Sequence, residues 1–258
     1  MPNVAASSVS PEYHLRAKSG VRGFAGMEAN GVFPHLKNLL NLPGVVSLAL
    51  ETDSTLPKDD YPEALFAIVY DGIFGVQQFL GDGRRSISHL FFPGDIIDFR
   101  YSEKVQGCVV CLFASKLVLV DGDSFSALKD EGQETLKVLG GSLMKHWELA
   151  TQHCTDLARK SAVEKLASYI FECQNRTPPA TGEDGKGVIH LALRRVDISD
   201  YLGLRPETLC RAFAKLKQSK LIEFTDVDHV QIRDEGVLRN IANGCSMNKK
   251  PAALKDAG

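Results

Sequence analysis

The stretch that decides the fold is "DISDYLGLRPETLCRAFAKLKQSKLIEF", residues 197–224. Ile198 and Tyr201 recur at the spacing of one face of a short helix, and Gly203 supplies the backbone freedom that ends it. Pro206 suits the first turn of a second helix, because its ring fixes φ near the helical value. The stretch therefore predicts two short helices joined by a tight turn.

The second of these helices has one apolar side. Leu209, Phe213 and Leu216 follow one another at spacings of four and three, so they face inward together. The side chains left on the other faces are Glu207, Cys210, Arg211 and Lys215. A helix-turn-helix of this kind can place its second helix in the DNA major groove, with its first turns at the base edges.

The residues that follow extend the motif. The segment "LIEFTDVDHVQIRD", residues 221–234, alternates apolar and polar positions around a turn at 226–228, which predicts a hairpin and hence a winged motif. Between Val188 and Lys220 there are seven Lys or Arg and three Asp or Glu, a local charge of +4 in a chain of −2. A locally basic face is typical of phosphate contact, so the sequence predicts a double-stranded DNA partner.

Two other patterns divide the chain upstream of this motif. Residues 44–125 consist of short runs of Val, Ile, Leu and Phe between glycine-containing turns, which predicts antiparallel strands in a β-roll or sandwich. Residues 124–173 contain no proline and predict a long helix, followed by an amphipathic helix within "ARKSAVEKLASYIFEC", residues 158–173. The predicted fold class is therefore α+β: an N-terminal antiparallel β-roll, a long helix and a winged helix-turn-helix.

The long helix carries an apolar repeat with the alternating spacings of four and three found in coiled coils. Its members are Leu136, Gly140, Leu143, Trp147, Ala150, Cys154 and Leu157. Two interpretations fit this repeat: the helix lies on its own β domain, or the repeat is the interface of a homodimer. The repeat extends over three heptads, which is longer than one short contact needs, and this favours the homodimer.

Composition and the absence of known motifs limit the classes of function that remain. The 258 residues, 44% hydrophobic and 24% charged, suffice for one or two globular domains. The N-terminus lacks a signal-peptide core and no apolar run approaches a membrane span, so we expect a cytoplasmic protein without membrane contact. The six cysteines are spread along the chain, which favours free thiols. The sequence has no P-loop, nucleophile elbow, zinc-ligand spacing or Rossmann glycine set, so we expect neither an enzyme nor a metal site.

The order of β-roll, long helix and winged helix-turn-helix resembles the CRP/FNR transcription regulators over residues 35–243. The most specific part is "RRVDISDYLGLRPETLCRAFAKLKQSKLIE", residues 194–223, which resembles the DNA-binding unit of the FNR and FixK type. The resemblance implies an N-terminal extension at 1–34, a sensor-like β-roll of the cyclic-nucleotide-binding type at 35–130, a dimerisation helix at 131–160, a DNA-binding domain at 161–245 and a flexible tail at 246–258.

The resemblance also implies a function. It implies an activator that works with RNA polymerase and binds, as a homodimer, palindromes close to TTGAT and ATCAA half-sites, in respiratory control linked to oxygen, redox state or nitrogen oxides. The residues implied in base contacts are Glu207, Cys210 and Arg211, and those implied in DNA backbone contacts are Arg195, Arg205, Thr208 and Lys215.

Two residues of the motif depart from the family pattern. Cys210 replaces the usual Ser, and Arg205 replaces the Ser or Thr that normally caps the recognition helix. A thiol in the first turns of a helix, beside Arg211, is a candidate for reversible oxidation. Cys210 is therefore the predicted redox-sensitive residue.

The sensor half lacks the effector motifs that the resemblance would supply. Residues 92–122 contain no Gly-Glu pair followed by Arg-Ser or Arg-Thr, and no cysteine precedes Cys108, so neither cyclic nucleotide nor an FNR-type iron-sulfur cluster is expected. Cys108 and Cys111 form C-x-x-C, but on a strand residues three apart point to opposite faces. No cofactor is predicted. We therefore expect the activity of the regulator to be controlled by its own abundance or by thiol chemistry.

Two alternatives stay open at this point. The first is a ligand-sensing regulator of the same family that binds haem or a small molecule; the histidines available to haem are His89, His146 and His153, for which packing is the simpler explanation. The second is a cyclic-nucleotide-type module that uses its helical end to contact protein rather than DNA.

Overall fold

The computed structural model describes residues 45–56, 59–98, 107–127, 132–177, 180–181 and 187–245. The N-terminal extension predicted for residues 1–34 and the tail predicted for residues 246–258 lie outside these ranges, as do residues 35–44 of the predicted β-roll.

The N-terminal half is an antiparallel sheet, as the glycine-punctuated runs predict. Its described strands are β1 (Val46–Leu50), β2 (Ala64–Phe79), β3 (Arg85–Phe91), β4 (Ile96–Asp98) and β5 (Cys108–Asp121). The order is β1-β5-β2-β3, and β4 also pairs with β2. Gly72 interrupts the register of β2 with β5 at a φ of +82°, where a Cβ would lie 2.0 Å from Ser115 Oγ, so only glycine fits.

Three helices follow the sheet. They are α1 (Gly122–Ala127), α2 (Gly132–Arg159) and α3 (Ala162–Arg176). The chain breaks between α2 and α3 because Ser161 is the N-cap of α3, and its backbone N–H donates to Glu164 Oε2 at 2.7 Å. The second, amphipathic helix of the proline-free stretch is thus present as the sequence predicts.

The C-terminal half is a winged helix-turn-helix, again as predicted. Its elements are β6 (Ala180–Thr181), β7 (Gly187–His190), α4 (Arg195–Tyr201), α5 (Pro206–Gln218), β8 (Ile222–Phe224), β9 (His229–Ile232) and α6 (Glu235–Ala242). The sheet order is β6-β7-β9-β8. The strand that the sequence indicates over residues 188–193 ends at His190, because Ala192 takes a φ of +62° and turns the chain towards α4.

One apolar core runs through both halves of the described chain. It joins Ile87 and Leu112 of the N-terminal sheet to Ile170 and Phe171 of α3 and to Leu209 of α5, all buried. The recognition helix α5 is therefore built on the same core that carries the sensor-like sheet.

Candidate nucleic-acid interface

The recognition helix α5 is held by its apolar side. Leu209 and Leu216 are fully buried and Phe213 is nearly so. The turn before the helix contains Gly203, whose φ of +60° lies in the left-handed region that glycine adopts without strain. With this side against the core, the opposite side of α5 faces solvent.

The solvent side of α5 carries the residues that the sequence predicts for base reading. Glu207, Cys210 and Arg211 are exposed, and Lys215 is exposed one turn further along. Glu207 lies three residues before Cys210 and four before Arg211, which lies four before Lys215, so all four share one broad side of the helix. Within the described part of the chain, Glu207 and Arg211 form no ion pair or side-chain hydrogen bond. Their charges are free to meet a partner.

The N-terminus of α5 is open. Arg205 is its N-cap residue and makes no side-chain hydrogen bond to the helix, as the replacement of Ser or Thr predicts. Arg205 is exposed and Thr208 is half-buried, and both lie beside the first backbone N–H groups of the helix. Such helix N-termini attract phosphate oxygens.

The wing is the hairpin of β8 and β9. Asp226 Oδ1 accepts hydrogen bonds from the backbone N–H groups of Asp228 and His229, each at 2.8 Å. The bond from Asp228 is the main cause that lowers the pKa of Asp226. Val227 projects from the tip and is 77% exposed. The turn is thus ordered by its own side chain, with an apolar residue outermost.

Arg195 joins α4, α5 and the wing. Its guanidinium carbon lies 3.9 Å from the ring centroid of Phe213 and 5.0 Å from that of Phe224, and Nη2 donates to the Val227 carbonyl at 3.2 Å. Burial lowers the pKa of Arg195, while the carboxylate of Asp228 opposes that effect. The guanidinium is packed against two rings, and its contact with the DNA backbone stays a prediction.

Ion pairs fix α4 to the sensor-like sheet. Arg85 of β3 donates to Asp197 Oδ1 at 2.5 Å and to Asp200 Oδ2 at 2.6 Å. Arg194 donates to Asp197 Oδ2 at 2.7 Å and, from Nη2, to Asp53 Oδ1 at 2.7 Å; the bond to Asp53 is the first cause of its raised pKa. Sequence reasoning missed this network and counted Arg194 in a basic face, because its partners lie more than a hundred residues away or within the same helix turn.

An apolar stripe on α2 remains uncovered. Leu143, Met144 and Trp147 are 71%, 58% and 69% exposed. Of the other predicted interface residues, Gly140, Cys154 and Leu157 are exposed and Ala150 is half-buried, while the side chain of Leu136 lies outside the described residues. Large exposed apolar patches on a soluble protein mark interaction sites.

Cys108, Cys111 and the three histidines that the sequence offers to haem are buried or half-buried. Cys108 packs against the core that runs through both halves, whereas Cys111 belongs to a second core within the sheet, so the two thiols point to opposite faces as predicted. His89 Nε2 lies 2.9 Å from His146 Nδ1, and His153 stacks on Tyr201 with centroids 4.0 Å apart. The described residues contain no cluster of three or more His, Cys, Asp or Glu arranged to hold a metal ion.

Known proteins resemble this chain both in the helix-turn-helix domain and over most of its length. A family model for the Crp-like helix-turn-helix domain matches residues 164–241, which run from α3 into α6. The FixK nitrogen fixation regulation protein of Azorhizobium caulinodans is 26% identical over 205 residues, 77% of this chain and 82% of its own. The transcriptional activatory protein AadR of Rhodopseudomonas palustris is 29% identical over 189 residues, 70% of this chain and 74% of its own.

Residues 164–241 therefore contain a Crp-like helix-turn-helix domain, and most of the chain is similar to FixK-type regulators of the CRP/FNR family. Among solved structures, FixK2 from Bradyrhizobium japonicum shares the CRP/FNR fold with a TM-score of 0.63 at 24% identity, covering 76% of this chain and 96% of that one. The match to the Crp-like domain coincides with the helix-turn-helix and wing described above. No helix among the described residues is long and apolar enough to span a membrane.

Proposed function

We propose that the chain is a sequence-specific DNA-binding activator that binds palindromes of the TTGAT type as a homodimer, in respiratory control linked to oxygen, redox state or nitrogen oxides. The observation that carries the proposal is the exposed row of Glu207, Cys210 and Arg211 on a helix whose opposite side is buried. A helix presented in this way fits the DNA major groove.

Each member of the row has a partner on the bases. The Glu207 carboxylate can accept from a cytosine amino group, and the Arg211 guanidinium can donate two hydrogen bonds to guanine O6 and N7. Cys210 between them offers a sulfur of low polarity to a thymine methyl group. This order of acceptor, apolar contact and donor supports a half-site with a G·C pair beside an A·T pair, as in TTGAT.

Other cations position the helix without reading sequence. Arg205 and Thr208 at the helix N-terminus and Lys215 further along are the proposed contacts to phosphate. Arg195 is a further proposed contact to the DNA backbone, beside the wing, because its guanidinium is packed against Phe213 and Phe224 and bonded to the tip of the hairpin.

The homodimer supplies two recognition helices. A palindrome presents its half-sites about 34 Å apart on one side of the duplex, so two copies of α5 must be held at that spacing. The exposed stripe of α2 is the proposed interface, since a second copy would cover Leu143 and Trp147 with the same surface. Contact with RNA polymerase would follow at the promoter.

The signal is proposed from the relatives and from one thiol. FixK is named for nitrogen fixation regulation and AadR is named a transcriptional activatory protein, which supports a role in transcription activation. Cys210 is exposed within the base-reading row, so its oxidation would place added bulk where the groove must enter.

The test is binding of the full chain to two duplexes of equal length and composition. One carries TTGAT and ATCAA half-sites centred about 10 base pairs apart, and the other has the same bases in scrambled order. We expect the palindrome to bind at least about 10³-fold more tightly at a single fixed salt concentration, as specific regulators do. Equal affinity for the two duplexes would refute the proposal.

A further inference from the structure

A cavity of about 770 Å³ lies at the junction of the two halves. Its walls are the turn Phe92–Gly94 after β3, one side of α2, the inner side of α3 and, from the DNA-binding half, Tyr201 and Leu202 with the end of α6. On α2 this side lies roughly 130° from the exposed apolar stripe, at 100° per residue. Leu157 belongs both to the predicted interface and to the cavity wall, whereas Leu143 and Trp147 do not line the cavity, and a molecule inside it would contact both halves.

The walls carry more positive than negative charge. Five lining residues are Lys or Arg and two are Asp or Glu. Four of the cations are paired: Lys145 and Arg176 with Asp95, Lys160 with Asp156, and Arg239 with Glu235. The fifth is Lys165, which is only 9% exposed.

Lys165 has no anionic partner within the described part of the chain. Its Nζ donates to the Leu202 carbonyl at 3.3 Å, which uses one of its three N–H groups, and no described carboxylate lies within 4 Å. A desolvated ammonium group with a single long hydrogen bond is costly to bury. An anion in the cavity would supply the missing charge and accept the remaining hydrogen bonds.

A second buried donor lies beside Lys165. His153 lines the cavity, and its Nε2 is buried without a hydrogen-bond partner. Its ring is fixed by stacking on Tyr201. Burial, together with the nearby charge of Lys165 and against the opposing effect of Asp156, lowers the pKa of His153 to about 4, so the ring is neutral at pH 7 and can offer one N–H to an oxygen.

The remaining wall suits an apolar body. Leu149, Phe171 and the ring of Tyr169 line the cavity next to these polar groups. Small-molecule sites typically combine such a surface with a few convergent polar groups in a volume of roughly 300–1,000 Å³.

We propose that this cavity binds a small organic anion, with its carboxylate or phosphate group held by Lys165 and His153 and its apolar body against Leu149 and Phe171. The site is separate from the DNA-binding face of α5. It joins the sensor half to the DNA-binding half through a ligand that touches α2, α3 and the end of α4.

The experiment measures binding to the full chain, without DNA, by isothermal titration at constant ionic strength. The probes are phenylacetate and phenyl phosphate, which pair one aromatic ring with each kind of anionic head, and benzyl alcohol, which has the ring without charge. We expect saturable binding of phenylacetate or phenyl phosphate at least about tenfold tighter than that of benzyl alcohol, because charged hydrogen bonds contribute that much or more. The stronger of the two acids identifies the head group.

Matched variants assign the site. Lys165→Met keeps the length of the side chain without its charge and should weaken the acid at least about tenfold, whereas Lys116→Met removes an exposed charge from β5 and should leave binding unchanged. His153→Phe retains the stacked ring without Nε2, and should weaken the acid about threefold or more, which keeps the test decisive if Lys165→Met does not fold. Absence of binding by both acids, binding of benzyl alcohol equal to theirs, or full affinity in either cavity variant would overturn the proposal.

Discussion

Two helices of this regulator leave one side uncovered, and the two sides differ in chemistry. On α2 the uncovered side is apolar, with Leu143 and Trp147 each more than two thirds exposed. On α5 it is polar and charged, with Glu207, Cys210 and Arg211 in one row. The opposite side of α5 is buried, and the side of α2 that faces the sheet is half-buried at His146, Leu149 and His153.

The difference indicates the kind of partner each side takes. An apolar stripe gains free energy in proportion to the area it removes from water, which suits a second protein surface and carries little base information. A row of donors and acceptors gains little from burial alone but discriminates base edges. Two symmetric copies of the polar row, held by the apolar stripe, would together match a palindrome.

The largest expected effect comes from charging the apolar stripe. Leu143→Glu would bury carboxylates at the proposed interface, so we expect a monomer by light scattering. Because one recognition helix then binds alone, affinity for the TTGAT palindrome should fall by about 10³-fold or more.

Thr155→Glu is the matched control, since it adds the same charge at an exposed position on another side of α2. It should remain dimeric and retain DNA affinity. A Leu143→Glu protein that stays dimeric, or a monomer with full affinity for the palindrome, would show that the stripe has another purpose.

The next effect separates base reading from backbone contact on α5. Arg211→Ala removes a donor pair and should cost about 1–3 kcal/mol per half-site, with relaxed choice at the guanine. Lys215→Ala removes an equal charge from the same side of the helix and should weaken all sequences alike, with a smaller dependence on salt. Both are read by titrating cognate and scrambled duplexes at several salt concentrations.

Losses that are equal on the two duplexes for both variants would remove the distinction between the residues. A loss of discrimination in Lys215→Ala but not in Arg211→Ala would reverse the assigned roles.

Local patterns predicted the parts of this site that depend on neighbouring residues. The spacing of Leu209, Phe213 and Leu216 predicted the buried side of α5, and the missing hydroxyl at Arg205 predicted an uncapped N-terminus. Both follow from helix geometry, which needs only a few consecutive residues. The alternation after the recognition helix predicted the wing for the same reason.

Local patterns could not predict contacts between segments that are distant in the sequence. Arg85 meets Asp197 across 112 positions of the sequence, and His89 meets His146 across 57. No periodicity links these residues, because the packing of α4 and α2 on the sheet brings them together. The packed position of Arg195 depends likewise on the rings of Phe213 and Phe224, which belong to different elements.

The inner side of α2 gives a prediction about pH. Burial, followed by the charges of His146 and Arg176, lowers the pKa of His89 from 6.5 to about 3, while Asp95 opposes the shift. Because the folded state requires neutral His89, its stability is complete above pH 6.5 and is lost as the pH falls towards 3. We expect the free energy of unfolding to fall by about 1.4 kcal/mol per pH unit from this residue below pH 6.

Urea unfolding of wild type and His89→Gln at pH 7, 6 and 5 measures this slope. The variant should be less stable than wild type at pH 7 and should lose stability less steeply on acidification. If the free energy of unfolding falls equally with pH in the two proteins, the acid sensitivity arises from other residues of the fold.

The smallest expected change in DNA affinity is that of replacing Cys210 in reducing buffer. Each of the two uncovered sides has one exposed cysteine, so the two replacements can be compared. Cys154 is exposed on α2 and Cys210 is exposed on α5. Cys210→Ser restores the hydroxyl usual in the family and should alter the free energy of binding to the TTGAT palindrome by less than about 1 kcal/mol, in the favourable direction or not at all, because one neutral hydrogen bond contributes about that much. Cys154 belongs to the predicted dimer interface rather than to the base-reading row, and Cys154→Ser, which keeps nearly the same size there, should leave affinity almost unchanged.

Peroxide should separate the two thiols. Oxidation of Cys210 to sulfenic acid or a mixed disulfide adds bulk to the row that enters the groove, so wild type and Cys154→Ser should lose palindrome binding and recover it with dithiothreitol, whereas Cys210→Ser should resist. Dithiothreitol cannot restore a thiol oxidised beyond sulfenic acid, so recovery also reports the oxidation state. Equal sensitivity of wild type and Cys210→Ser would assign the effect to another cysteine. If the wild type is insensitive to peroxide, Cys210 has no redox role and is only a serine-sized contact with a thymine methyl group.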